Sequence, residues 1–133
     1  ENQIREAIGY YKAGNDDAAL DKLLNSLEIK ETSIANRVIG DILIKRNDKN
    51  AIIYYLKAYP DYKKDINFLF DLGILYLGYK VTDKALEILG EMKQLDPVNK
   101  KVSFLEKKNI NPEKYWNKII LRSKGYGWKY MVQ

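Results

Sequence analysis

Three groups of residues have types and spacings that chemistry could use. Gly73-x4-Gly78-Tyr79-Lys80 approaches the spacing of a phosphate-cradling loop. It lacks the Lys-Ser/Thr ending of such loops, and it falls in a helical pattern instead of a strand-to-helix turn, so helix packing is the better reading. Asp16-Asp17 and Asp83 could supply carboxylates for acid–base work, but they stand in turn-forming stretches, where aspartate caps helices. The serines are Ser26, Ser33, Ser103 and Ser123, and the chain has no histidine to activate them and no cysteine. The commonest general base, the thiolate nucleophile and the usual zinc and iron–sulfur ligands are therefore missing. No catalytic, metal-binding or cofactor-binding residue is expected, and neither enzyme activity nor a small-molecule substrate is expected.

The third group is basic and aromatic. The formal charge of +5 over 133 residues is uneven. Residues 1–33 carry a net −3, 34–66 a net +3, 67–99 a net −2 and 100–133 a net +7. In the last quarter, lysines alternate with Tyr115, Trp116, Tyr126, Trp128 and Tyr130. Such a segment could track a nucleic-acid backbone, meet an anionic membrane surface or an acidic protein, or present a solvated lysine face with its aromatics packed inward. Lysine outnumbers arginine 19 to 4, which favours the last reading, because bidentate phosphate contacts prefer arginine.

The chain is long enough for one domain or a short repeat array, and its 46% hydrophobic content argues against disorder. Ile, Lys, Asn and Tyr make up 56 of the 133 residues, a bias that suits an AT-rich, bacterial genome. The first residue is Glu1, so the chain reads as an excised domain or a mature form of a larger protein. No signal-peptide pattern is visible. The most apolar window, Ile66–Leu77, contains Asp71 and is shorter than the roughly 20 residues of a membrane span. The bacterial cytoplasm and the cell envelope, with an anchor preceding Glu1, fit equally well.

The elements that would position these side chains are helical. Apolar residues recur at three and four positions, as in Ile4/Ala7/Ile8/Tyr11 and Leu86/Leu89/Met92. Gly14 and Asn47 suit the left-handed end of a helix. Asp16, Asp48 and Thr82 are expected N-caps, and Pro60-Asp61 and Asp96-Pro97 are expected helix stops. Eight helices follow, over about 2–13, 16–30, 33–46, 48–59, 64–78, 82–95, 99–108 and 112–123. They group into three units, 1–32, 33–64 and 65–98, in which Ala19, Ala51 and Ala85 recur 32 and 34 residues apart. A small residue at a fixed place in each unit implies close helix approach there. Residues 99–133 supply capping helices and a tail.

This pattern resembles the tetratricopeptide repeat (TPR), a 34-residue helical hairpin. The third unit carries the likeness best, with Leu72, Gly73, Tyr76, Ala85, Leu89, Met92 and Pro97 at the family's positions. The first unit adds Ala7, Tyr10, Gly14, Ala19 and Leu23. The second is shorter, with Leu43 in place of the first-helix tyrosine. The resemblance covers about residues 1–99. It implies an all-α, right-handed α-solenoid of three helix-turn-helix repeats, extended by two C-terminal helices. It further implies a protein–protein interaction scaffold with a concave groove lined by the first helix of each unit. Ile4, Ile8, Tyr11, Ile34, Arg37, Ile44, Phe70, Ile74 and Leu77 map to that groove, with Asp41, Lys45 and Asn67 beside them. The mapped surface is mostly apolar, so a partner protein's segment, a segment preceding Glu1, the chain's own 100–133 tail or a second copy is the expected occupant. The family's lysine–asparagine clamp for acidic peptide ends is matched only at Asn67. Trp116, Trp128 and Tyr130 are a second candidate contact.

Overall fold

The computed structural model describes residues 2–110, with side chains described through Lys108. Among the described residues there are seven α-helices and no strand. They are α1 (Asn2–Lys12), α2 (Asp16–Ile29), α3 (Ser33–Lys45), α4 (Ala51–Tyr62), α5 (Ile66–Gly78), α6 (Thr82–Leu95) and α7 (Lys100–Ile110). The expected helix at 112–123 lies outside them. The closest packing is within the successive pairs α1/α2, α3/α4 and α5/α6, and α7 lies against both α5 and α6.

Local chemistry explains the boundaries. The turns after α1, α3 and α5 pass through the left-handed region at Gly14 (φ 85°), Asn47 (φ 57°) and Lys80 (φ 62°). The first two are residue types that tolerate it, and Lys80 gave no such sign in the sequence. Four helices start on side-chain caps, among them α7, where the Asn99 amide oxygen accepts from the Lys101 N–H at 2.9 Å. The amide oxygen of Asn15 accepts from the Ala18 N–H at 3.2 Å, and the Thr32 hydroxyl accepts from Ala35 at 3.4 Å. Asp65 accepts from Asn67 and Phe68 at 3.0 and 3.2 Å.

The expected caps need correction. Asp16 and Thr82 are first helical residues, preceded by Asn15 and Val81 at the cap positions. Asp48 instead holds a lead-in turn, where its carboxylate accepts from the Asn50 N–H at 2.9 Å, so α4 starts at Ala51. Pro60 does not stop α4. It sits exposed in the last turn, where the missing N–H removes a single internal hydrogen bond before the helix ends.

Two hydrophobic clusters form the core. One gathers Ile4, Ala7, Ala19, Leu23, Ala35, Ile39 and Ile42 from α1, α2 and α3. The other runs from Ile44 through Tyr55, Phe68, Leu72, Leu75 and Met92 to Leu105. Leu43 touches both, so α3 joins them. Ala19, Ala51 and Ala85 are all fully buried. Helix α5 is the centre of the second cluster, with ten of its 13 residues buried, which is why its sequence is apolar around nearly the whole circumference. Gly40 and Gly73 are buried where partners come closest. A β-carbon at Gly40 would collide with the Tyr55 ring, and one at Gly73 would lie 2.8 Å from Leu105 Cδ2. No described helix is long and apolar enough to cross a membrane.

Candidate functional site

The nine residues mapped to a groove separate by burial. Phe70, Ile74 and Leu77 are each 2% exposed, Ile44 is 6% and Ile4 8%. These five are core residues, and the expectation of an open apolar lining does not hold for them. The physical reason is clearest at Phe70. Helix α7 lies on α5 there, with the Phe104 ring edge-on to Phe70 at 5.5 Å and the Lys101 ammonium 5.3 Å from the Phe70 centroid. Asn67 on the same helix accepts a hydrogen bond from Lys101. Ile8, Tyr11 and Arg37 are half-buried, and Ile34 is 40% exposed. Trp116, Trp128 and Tyr130 lie outside the described residues. Pro97 is exposed in the α6–α7 connection.

A polar cluster forms beside these residues. Arg37 on α3 bonds Asp65 at 2.6 Å and faces Asp41 at 3.9 Å. Its guanidinium lies over Tyr62, 4.7 Å from the centroid, and Phe68, at 5.4 Å. Tyr55, fully buried, stacks on Phe68 at 4.6 Å. Its hydroxyl donates to Asp41 and lies 3.5 Å from Asp71 Oδ2. On α1, Tyr11 has the Lys45 ammonium 5.0 Å from its centroid, and Lys45 pairs with Asp16 at 3.0 Å.

The electrostatics show one shared environment. Burial first, then the charges of Asp41, Asp16 and Asp71, push the Tyr11 phenol up to about 12, against the pull of Arg37. Burial pushes Tyr55 well above its ordinary value, and Asp71 and Asp41 add to it. Burial is the largest single cause and works against the charge of both Arg37 and Asp65, but their mutual hydrogen bond, together with Asp41 beside the guanidinium and the Phe68 and Asn67 N–H groups on the carboxylate, outweighs it, raising the guanidinium and lowering the carboxyl. A tyrosine on α1, an arginine and a carboxylate on α3 and a carboxylate on α5 thus feel one another directly. The arrangement can offer hydrogen-bond acceptors, a stacked cation and phenol faces to a bound segment. It contains no nucleophile–base pair.

The chemistry first considered in the sequence resolves into structure. Gly73 and Gly78 are buried in α5. Asp16 and Asp17 bind Lys45 and Arg46 at 3.0 and 2.5 Å. Among the described residues no group of acids has the geometry to hold a metal ion. Tyr55, Asp65 and Tyr62 were missed as site residues. The Arg37–Asp41 pair at i, i+4 was visible in the sequence, whereas Tyr55 and Asp65 join it only through helix packing.

No family model matches the chain. It is 34% identical over 86 residues to the BBSome complex member BBS4 of Bos taurus, a match covering 64% of this chain and 17% of that protein. It is 32% identical over 90 residues to a TPR repeat-containing protein of Methanocaldococcus jannaschii, covering 66% of this chain and 16% of that protein. The matched part is thus about a sixth of the length of these relatives. An all-helical chain similar to proteins so named fits TPR-like repeats, and with them a protein-interaction module.

Proposed function

We propose that the chain is a three-hairpin TPR-like solenoid acting as a non-enzymatic scaffold. In this reading a partner protein's segment lies across α1, α3 and the start of α5 at Tyr11, Ile34, Arg37, Asp41 and Asn67. The observation that carries it is geometric: Lys45 of α3 lies 5.0 Å from the Tyr11 ring of α1, and the Tyr55 hydroxyl joins Asp41 of α3 to Asp71 of α5. Helices that line a common face bring corresponding side chains together in this way, and a partly exposed aromatic, an apolar rim and fixed charges suit a peptide contact. The similarity to a protein named as a complex member supports assembly as the role. The groove so proposed is polar and aromatic at its centre, and the buried Phe70, Ile74 and Leu77 belong to the core instead of its lining.

Affinity capture with the full-length protein, followed by measurement of the recovered partner's affinity, tests this. Tyr11→Ala with Ile34→Asp, in a protein that keeps its helical circular dichroism, should weaken binding by tenfold or more. Unchanged affinity would remove the α1/α3/α5 face from the reading.

A second reading rests on α7, which carries Lys100, Lys101, Lys107 and Lys108 against the single acid Glu106. Nucleic acid or an anionic membrane would then bind the basic terminal quarter. Its discriminating measurement is salt dependence.

A further inference from the structure

On the opposite stripe of α5 from Phe70 and Ile74, the chain forms a separate small cleft of about 150 Å³ between α4 and α6. Leu72 gives it an apolar floor, and Leu56, 45% exposed, an apolar rim. Tyr59 and Tyr76 are its aromatic walls, and Glu87 and Glu91 stand on the α6 side. The side chains come from three helices: i and i+3 on α4, i and i+4 on α5, and successive turns of α6. Each helix therefore contributes one face.

Three features select the occupant. A volume near 150 Å³ is below the range of cofactor and drug-sized pockets, about 300–1,000 Å³, and suits a single side chain. The charge is negative, since two carboxylates face one lysine, Lys84, which pairs with Glu87 at 3.5 Å with both side chains more than half exposed. An exposed pair of that kind is weak and leaves the cleft open to a better cation. The Tyr59 hydroxyl donates to Glu91 and so fixes that carboxylate in place. The ring already draws a cation, since the Lys63 ammonium lies 5.7 Å from its centroid. The bond to Glu91 is the main cause of the rise of Tyr59 to about 12. Tyr76 is raised chiefly by burial, with Lys84 opposing and Glu87 and Glu91 adding to it.

We propose that this α4/α5/α6 cleft is a binding site for an arginine side chain of a partner protein, with the aliphatic stem on Leu56 and Leu72, the guanidinium plane against the tyrosines and its N–H groups on Glu87 and Glu91. Arginine matches better than lysine because its flat, weakly hydrated head both stacks on rings and forks onto carboxylates. The site is independent of the α1/α3/α5 face and would give the scaffold a second point of contact.

The test is NMR titration of the full chain with the peptide Ac-Gly-Arg-Gly-NH2, following the ring resonances of Tyr59 and Tyr76. Saturable shifts with a dissociation constant of about 1–10 mM are expected for one isolated side chain. The uncharged citrulline peptide, and Glu87→Gln with Glu91→Gln, should each weaken binding about tenfold. The glutamine at 91 still accepts the Tyr59 hydrogen bond, so packing is preserved. Absence of a saturable shift at 50 mM peptide would overturn the proposal, and so would equal binding of the citrulline peptide. The second result is read on the unmutated protein and does not depend on the variant's folding.

Discussion

At the scale of single residues, the structure distinguishes glycines that the sequence could not. Gly40 faces the Tyr55 ring and leaves no space for a side chain, whereas Gly90, also inside a helix, meets nothing within 4 Å. Gly40→Ala should cost about 1–3 kcal/mol by overpacking a ring that is itself held by Phe68 and Asp41. Gly90→Ala should stabilise by about 0.5–1 kcal/mol through the lower entropy of the unfolded chain. Urea unfolding of both variants checks the pair, and equal effects would contradict the Gly40–Tyr55 contact. The tyrosines make a second prediction. Tyr11 and Tyr59 titrate at about 12 and Tyr55 above the ordinary value, so each is protonated in the folded state when its unfolded counterpart, near 10, has ionised. The unfolded state then binds fewer protons, and stability falls as pH rises. The contribution is complete below about 10 and is lost through about 12. Ultraviolet titration of phenolate, run beside circular dichroism, should show these phenols ionising late and together with loss of helix.

At the scale of elements, side chains about one repeat apart tie each hairpin to the next. Arg37 reaches Asp65, Lys45 and Arg46 reach Asp16 and Asp17, and Lys57 reaches Glu31. Tyr59 reaches Glu91, and Lys101 reaches Asn67. Asp65 is the most loaded of these, because it both caps α5 and holds Arg37. Asp65→Ala should cost about 1–2 kcal/mol, since the cap and the ion pair go together. Asp65→Asn should cost at most about 1 kcal/mol, because asparagine caps as well and only a partly exposed ion pair is lost. Similar losses for the two would show that the pair with Arg37, not the cap, dominates. The helices themselves were legible in the sequence, since Ile4/Ala7/Ile8/Tyr11 and the turn residues Gly14 and Asn47 mark periodicity and punctuation directly. Helix α4 was misplaced by three residues at each end. The Asp48 carboxylate closes a local turn onto Asn50 instead of capping a helix, and Pro60 is tolerated in a last turn open to solvent, so residue type alone places neither boundary. The site was half legible. Arg37 and Tyr11 were reached through the repeat resemblance, but the burial of Phe70 depends on α7 arriving from 30 residues away, and Tyr55 joins Asp41 only after Gly40 lets α3 and α4 approach.

At the scale of the whole molecule, the uneven charge is what separates the two binding readings. The net +7 of residues 100–133 exceeds the chain's total of +5, so the first 99 residues are slightly acidic. Charges on the α1/α3/α5 face are already matched in short, half-buried pairs such as Arg37–Asp65, which salt screens little. Contact through that face should therefore keep its affinity within about threefold between roughly 50 and 200 mM salt. Binding through the basic quarter would behave otherwise. Four lysine–phosphate contacts to a single strand give a slope of about −2.8 in log affinity against log salt, or about fifty-fold weakening over the same range. The measurement is the partner's dissociation constant at both salt concentrations, repeated with Lys107→Glu and Lys108→Glu in the last turn of α7. A near-flat salt response that survives charge reversal assigns the contact to the face carrying Tyr11 and Arg37. A steep response abolished by charge reversal assigns it to the terminal quarter, because only there does the chain hold enough like charge to release counterions on binding.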